Sequence, residues 1–105
     1  MSNVIEISEA TFEATVLKAK TPVLVDFWSV FCSPCHALKP VLVELANDVG
    51  DRARVFTVEI GTNERLTEQY GISFLPTLIV FKDGKELQRL VGLKSKETLR
   101  EALDV

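Results

Sequence analysis

The sequence predicts an α/β protein: a central five-stranded mixed sheet flanked by four helices. Three observations predict it. Strand-like and helix-like periodicities alternate through the first half of the chain, a pattern that calls for right-handed parallel crossovers. The last two strand-like runs are joined by Asp83-Gly84, a tight-turn dipeptide that makes them an antiparallel hairpin. And 105 residues, 47% of them hydrophobic, can close a core over both faces of such a sheet without disulfide or metal staples. No repeat, low-complexity tract or linker divides the chain, so residues 1–105 are expected to form one domain.

Each element has its own signal. Val4, Ile5 and Ile7 mark a short first strand. Ser8 reads as the N-cap of a helix with Glu9 in its positive first turn and Phe12, Val16 and Leu17 on its apolar face. Pro22 opens the second strand, the apolar run from Val23 to Phe27. The period then changes: Leu38, Val41, Leu42, Leu45 and Val49 recur at helical steps, predicting a helix over 33–49 stopped by Gly50 and kinked at Pro40. Arg54 to Ile60 is a third strand. Thr62 or Asn63 caps a short helix through Tyr70, which Gly71 ends. Thr77 to Lys82 is continuously apolar up to its final lysine, as a central strand would be. Leu87 to Val91 completes the hairpin, Gly92 closes it, and Ser95 caps a last helix carrying Leu99, Ala102 and Leu103.

Charge and composition exclude several classes. The formal charge is −3, and the 12 basic residues are scattered, so a nucleic-acid partner is not expected. No run approaches the roughly 20 apolar residues that span a bilayer, and the first residues lack the basic and apolar regions of a signal peptide. The expected compartment is cytoplasmic, with no membrane association.

The chemistry concentrates at Cys32-Ser33-Pro34-Cys35, where the second strand delivers two cysteines to the first turn of the long helix. Unpaired amides and the helix dipole favour an anion there, so the Cys32 thiol should ionise readily, while Cys35, turned inward, stays a thiol. A two-residue spacing lets the sulfurs cycle between dithiol and disulfide. Zinc is the competing reading, but Cys32, Cys35 and His36 fall short of a four-ligand structural site, so no metal is expected. Asp26 is the second informative residue. A carboxylate within V-L-V-D-F-W is expensive to bury and should have a raised pKa. It is either a proton acceptor behind Cys35 or a partly exposed strand end without a role. Trp28, Phe31, Phe74 and Leu75 are either core or an apolar docking patch around the cysteines. Pro76 would by default follow a trans bond, and His36 reads as a solvated helix residue.

At W-S-V-F-C-S-P-C-H-A-L-K-P the chain resembles the thioredoxin family, and the resemblance covers nearly all of its length. The resemblance implies the thioredoxin fold. It implies Cys32 as nucleophile, Cys35 as resolving cysteine, and Asp26 as the buried aspartate that accepts a proton. Y-G-I-S-F-L-P-T is similar to the family's cis-proline segment, which places the cis bond at Pro76. Val91 and Gly92 match the substrate groove, to which Trp28, Phe31, Ser33, Pro34, Phe74 and Leu75 would add. The activity implied is reduction of protein disulfides by a Cys32–Cys35 cycle, with no bound cofactor. The partners implied are disulfide-containing proteins and an NADPH-linked thioredoxin reductase, with the chain acting as a monomer. A more oxidising oxidase or isomerase and a thioredoxin-like binding subunit are the alternatives.

The chain also departs from the family pattern. Phe31 stands where a tryptophan is usual, Ser33 where a glycine is, and His36 where a lysine or arginine is. Thr57 occupies the place of a lysine often found near the buried aspartate, and Glu59-Ile60-Gly61 replaces a segment commonly ending in aspartate. Phe74 is bulkier than the usual residue two before the proline. Without a lysine at 57, Asp26 should hold its proton more tightly than in relatives that have one.

Overall fold

The structure is a computed structural model that describes residues 3–105. Five strands, β1 (Val4–Glu6), β2 (Val23–Trp28), β3 (Arg54–Glu59), β4 (Thr77–Lys82) and β5 (Lys85–Val91), form one sheet in the order β1-β3-β2-β4-β5. β1 and β2 run parallel to β3, and β4 runs antiparallel to both β2 and β5. The predicted mixed sheet is therefore present. The central strand, however, is β2, with β4 one place nearer the edge. Both are apolar because both are covered on two faces, so composition did not distinguish them.

Three α-helices, α1 (Ser33–Val49), α2 (Glu64–Gln69) and α3 (Lys96–Leu103), join one π-helical segment at Glu13–Leu17 to make the four predicted helices. α1 has the bounds its periodicity predicted, with Pro40 inside and Gly50 after its end at φ +56°, a conformation glycine adopts without strain. Gly50 N–H closes the helix on the Ala46 carbonyl. Ser95 caps α3 as expected, its Oγ accepting from Thr98 N–H. Asp83 and Gly84 both have positive φ, the requirement of a tight type I′ hairpin turn, and β5 starts two residues earlier than predicted.

The first helix departs most from expectation. Ser8 does not cap it. Ser8 N–H donates to Thr11 Oγ1, Thr11 donates back to the Ser8 carbonyl, and Glu9 N–H donates to Asn63 Oδ1. These local and long-range bonds occupy the amides a regular first turn would need. Helical backbone begins at Phe12, with Thr15 N–H on the Thr11 carbonyl, and continues as the wider π-helical turn, Lys18 N–H reaching Glu13 O five residues back. Asn63 precedes α2, but its side chain is buried on Glu9 and Glu59 rather than capping that helix.

The side-chain period of two sorts β2 between two cores. Leu24 joins Leu38, Leu42, Leu45, Val55, Leu78, Leu99 and Leu103 beneath α1 and α3. Val23, Val25 and Phe27 join Phe12, Val16, Phe56, Leu66, Ile79 and Phe81 on the other face. Asp26 falls on the α1 face, two residues beyond Leu24. No helix among the described residues is long and apolar enough to cross a membrane.

Candidate active site

At the carboxyl end of β2 the chain turns through Ser29, Val30 and Phe31, with Ser29 Oγ accepting from Phe31 N–H and the Ser29 carbonyl from Cys32 N–H. Cys32 then occupies the N-cap of α1, and its Sγ accepts the Cys35 N–H at 3.2 Å. Pro34 lies in the first turn, where its missing N–H costs nothing. Cys32 and Cys35 are joined as a disulfide with Cα atoms 5.3 Å apart. Their environments differ as predicted: Cys35 is 1% exposed, whereas Cys32 is only partly buried.

Strand register collects the remaining predicted residues at the same end of the sheet. Phe27 pairs with Thr77, and Thr77 with Val91, so Trp28, Pro76 and Gly92 follow at one edge. Gly92 N–H donates to the Pro76 carbonyl at 2.8 Å, and Thr77 Oγ1 donates to the Phe74 carbonyl. The Leu75–Pro76 bond is cis, as the family resemblance implied and the base rate for proline did not. The choice between core and surface is also decided. Phe31 is 94% and Phe74 70% exposed, while Trp28 and Leu75 are half-buried. With Val30, Val91 and Leu93, Phe31 and Phe74 make five of the seven large apolar residues left exposed among the described residues. Ser33 and Pro34 are exposed beside them.

Asp26 is not a frayed strand end. It is 2% exposed, and its Oδ1 has no hydrogen-bond partner among the described residues. Burial, reinforced by the Glu6 carboxylate and opposed by Lys39, pushes its pKa from an ordinary 3.8 up to about 7. Asp26 lines a cavity of about 250 Å³ together with Val4, Glu6, Trp28, Lys39, Leu42, Val43 and Thr57. Thr57 is directly opposite Asp26 in the β2–β3 register, the place from which a lysine would reach it, but its hydroxyl donates to Glu6.

Two residues at this site escaped the sequence reading. Glu6 accepts from Trp28 Nε1, Thr57 Oγ1 and Glu59 N–H. Lys39 places its Nζ 4.6 Å from the centre of the Trp28 ring. Both carried a weak signal. Glu6 is two residues from Val4 in a strand, hence on the same face, and Lys39 lies one helical turn beyond Cys35. His36 is exposed on α1, as read from the sequence, and its ring has partners the sequence did not show: Nε2 lies 2.9 Å from the Val30 carbonyl, and the ring meets Trp28 edge-on at 6.1 Å. A carbonyl can only accept, so Nε2 carries the hydrogen in that contact. Among the described residues no group of three or more His, Cys, Asp or Glu could hold a metal ion.

A sulfur pair that can open and close at a helix N-terminus, below an exposed apolar rim, belongs to a thiol–disulfide oxidoreductase. A family model for thioredoxin matches residues 3–105. The chain is 41% identical over 104 residues to Thioredoxin 1 of Synechococcus elongatus, covering 99% of this chain and 97% of that protein. It is 40% identical over 105 residues to a thioredoxin of Mycobacterium bovis, covering 99% and 90%. A bifunctional thioredoxin reductase/thioredoxin of Mycobacterium leprae matches over 102 residues at 38% identity, covering 96% of this chain and 22% of that protein. The chain belongs to the thioredoxin family and reduces protein disulfides through the Cys32–Cys35 pair.

Proposed function

We propose that Cys32 is the attacking thiol, Cys35 the resolving thiol and Asp26 the acceptor of the Cys35 proton. In the dithiol form the Cys32 thiolate attacks one sulfur of a substrate disulfide. A Cys32–substrate disulfide forms, and the other substrate sulfur leaves as a thiolate that takes a proton from water. Cys35 then gives its proton to the Asp26 carboxylate, and the resulting thiolate attacks Cys32 Sγ. The Cys32–substrate bond breaks and the second substrate sulfur leaves, taking up a proton. The substrate has gained two electrons and two protons, and the protein holds the Cys32–Cys35 disulfide. The observation that carries this reading is the asymmetry of the pair: Cys32 partly exposed at the N-cap with an N–H aimed at its sulfur, Cys35 buried.

The exposed rim of Phe31, Phe74 and Val91, with Trp28, Ser33, Pro34, Leu75, Pro76 and Gly92 around it, is the surface that receives the substrate chain. The chain works as a monomeric single domain in the cytoplasm, needs no bound cofactor, and is returned to the dithiol by an NADPH-linked thioredoxin reductase. The fusion of both activities in the Mycobacterium leprae relative's name is in keeping with that partner. Cys35→Ser tests the assignment of the cysteines. It should accumulate mixed disulfides with substrate through Cys32 on non-reducing gels, released by reductant. A folded Cys35→Ser protein that forms none, or a reduced wild-type protein alkylated first at Cys35, would overturn it.

A further inference from the structure

Glu6 is placed in a way that solvation alone does not explain. It stands on a three-residue edge strand with its side chain exposed, where a glutamate ordinarily samples many rotamers. Here both carboxylate oxygens are occupied. Oε1 accepts from Trp28 Nε1 at 2.9 Å and from Thr57 Oγ1, and Oε2 accepts from Glu59 N–H at 2.8 Å. The donors come from two other strands, so the carboxylate is fixed against the cavity that Asp26 lines.

We propose that Glu6 is a positioning residue for the proton-transfer step: it anchors Trp28 and Thr57 at the cavity and supplies the negative charge against which Asp26 must ionise. The proposal rests on the reading of Asp26 as proton acceptor. The groups facing Asp26 from each packed element leave Glu6 and Lys39 as the charges that matter. β1 contributes Glu6, and α1 contributes Lys39. β3 contributes the uncharged Thr57, and β4 places the apolar Leu78 opposite Asp26. The two charges act in opposite directions, and the Glu6 effect is the larger. Glu6 also accounts for Thr57, which stands where the family resemblance puts a lysine. The Thr57 hydroxyl is spent on Glu6, so a cation opposite Asp26 is replaced by a donor that holds an anion in place.

The test is the titration of the Asp26 carboxyl carbon by NMR in the reduced protein, alongside the pH dependence of substrate release. Glu6→Gln keeps an acceptor for Trp28 and removes the charge. It should move the Asp26 titration and the acid limb of the rate to lower pH by about half a unit or more, the size of one nearby unit charge across a partly solvated gap. Lys39→Gln should move both to higher pH, and the double variant should return near the wild type. Trp28 fluorescence unchanged in Glu6→Gln would separate the charge effect from a loosened indole. An Asp26 titration unmoved or raised in Glu6→Gln overturns the proposal. Glu6→Ser provides the same reading should the glutamine variant not fold. Failure of the underlying role is distinguishable, because Asp26→Asn would then retain the wild-type acid limb whatever Glu6 does.

Discussion

The two faces of β2 solve the same packing problem differently. Val23, Val25 and Phe27 meet an unbroken apolar cluster in which the rings of Phe12, Tyr70 and Phe81 lie 5.5–5.6 Å apart. On the opposite face Leu24 begins an equally apolar cluster under α1 and α3, but the next inward residue is Asp26, and packing gives way to a cavity. One face is optimised for burial alone. The other gives up stability at one position to keep a carboxyl group out of water. The contrast separates residues that hold the sheet together from residues that set its chemistry, and each can be perturbed without the other.

The largest stability effect should come from the dry face. Phe81 is 1% exposed and packs against both Phe12 and Tyr70 at the end of β4 away from the cysteines. Phe81→Ala should cost about 3–5 kcal/mol in denaturant unfolding, the usual range for emptying a buried phenylalanine site. The acid limb of substrate release should stay where it was, and a limb that moved with it would mean the two faces are not separable.

Asp26→Asn should have the opposite sign. The folded pKa of about 7 lies above the ordinary 3.8, so the folded state binds the proton more tightly than the unfolded chain. The favourable contribution of the protonated carboxyl is complete below the unfolded pKa and is lost as pH rises through the folded pKa. Wild-type stability should therefore fall from about pH 4 to about pH 7, by several kcal/mol at the conversion of about 1.4 kcal/mol per unit. Asp26→Asn should lack that fall and be more stable than wild type at neutral pH by about 2–4 kcal/mol. Parallel stability–pH curves for the two proteins would show that burial does not raise this group.

Thr57→Lys should act more weakly. A lysine opposite Asp26 favours the carboxylate, but Glu6 lies against the same cavity and would share the new charge. The acid limb should move to lower pH by about half a unit, measured by single-turnover reduction. An unmoved limb would remove position 57 from the residues that set Asp26.

How much of this was legible depends on the range of the contact. The bounds of α1, the hairpin at Asp83-Gly84 and the cap at Ser95 depend on residues a few places apart, and the sequence pattern located them. The disulfide pair was legible for the same reason, and Asp26 stood out because a charge in an apolar run is conspicuous. Glu6 was not, because its partners Trp28 and Thr57 are 22 and 51 residues away. The first helix failed for a similar reason: Asn63 takes the Glu9 amide across 54 residues. Nor could composition tell that Phe31 and Phe74 would stand in solvent while Phe27 and Phe56 were buried, since the first two fall in loops and the last two in paired strands. The cis bond at Pro76 came from the family resemblance and from nothing local.

The central claim is that a buried Asp26 takes the Cys35 proton, and its most direct test is the rate at which the mixed disulfide resolves as a function of pH. Substrate trapped on Cys32 is released by the wild-type protein and by Asp26→Asn under otherwise identical conditions. The wild-type rate should rise with pH through a transition near the Asp26 pKa of about 7. The asparagine protein should resolve more slowly at neutral pH, with that transition absent. Superimposable profiles for the two proteins would contradict the claim.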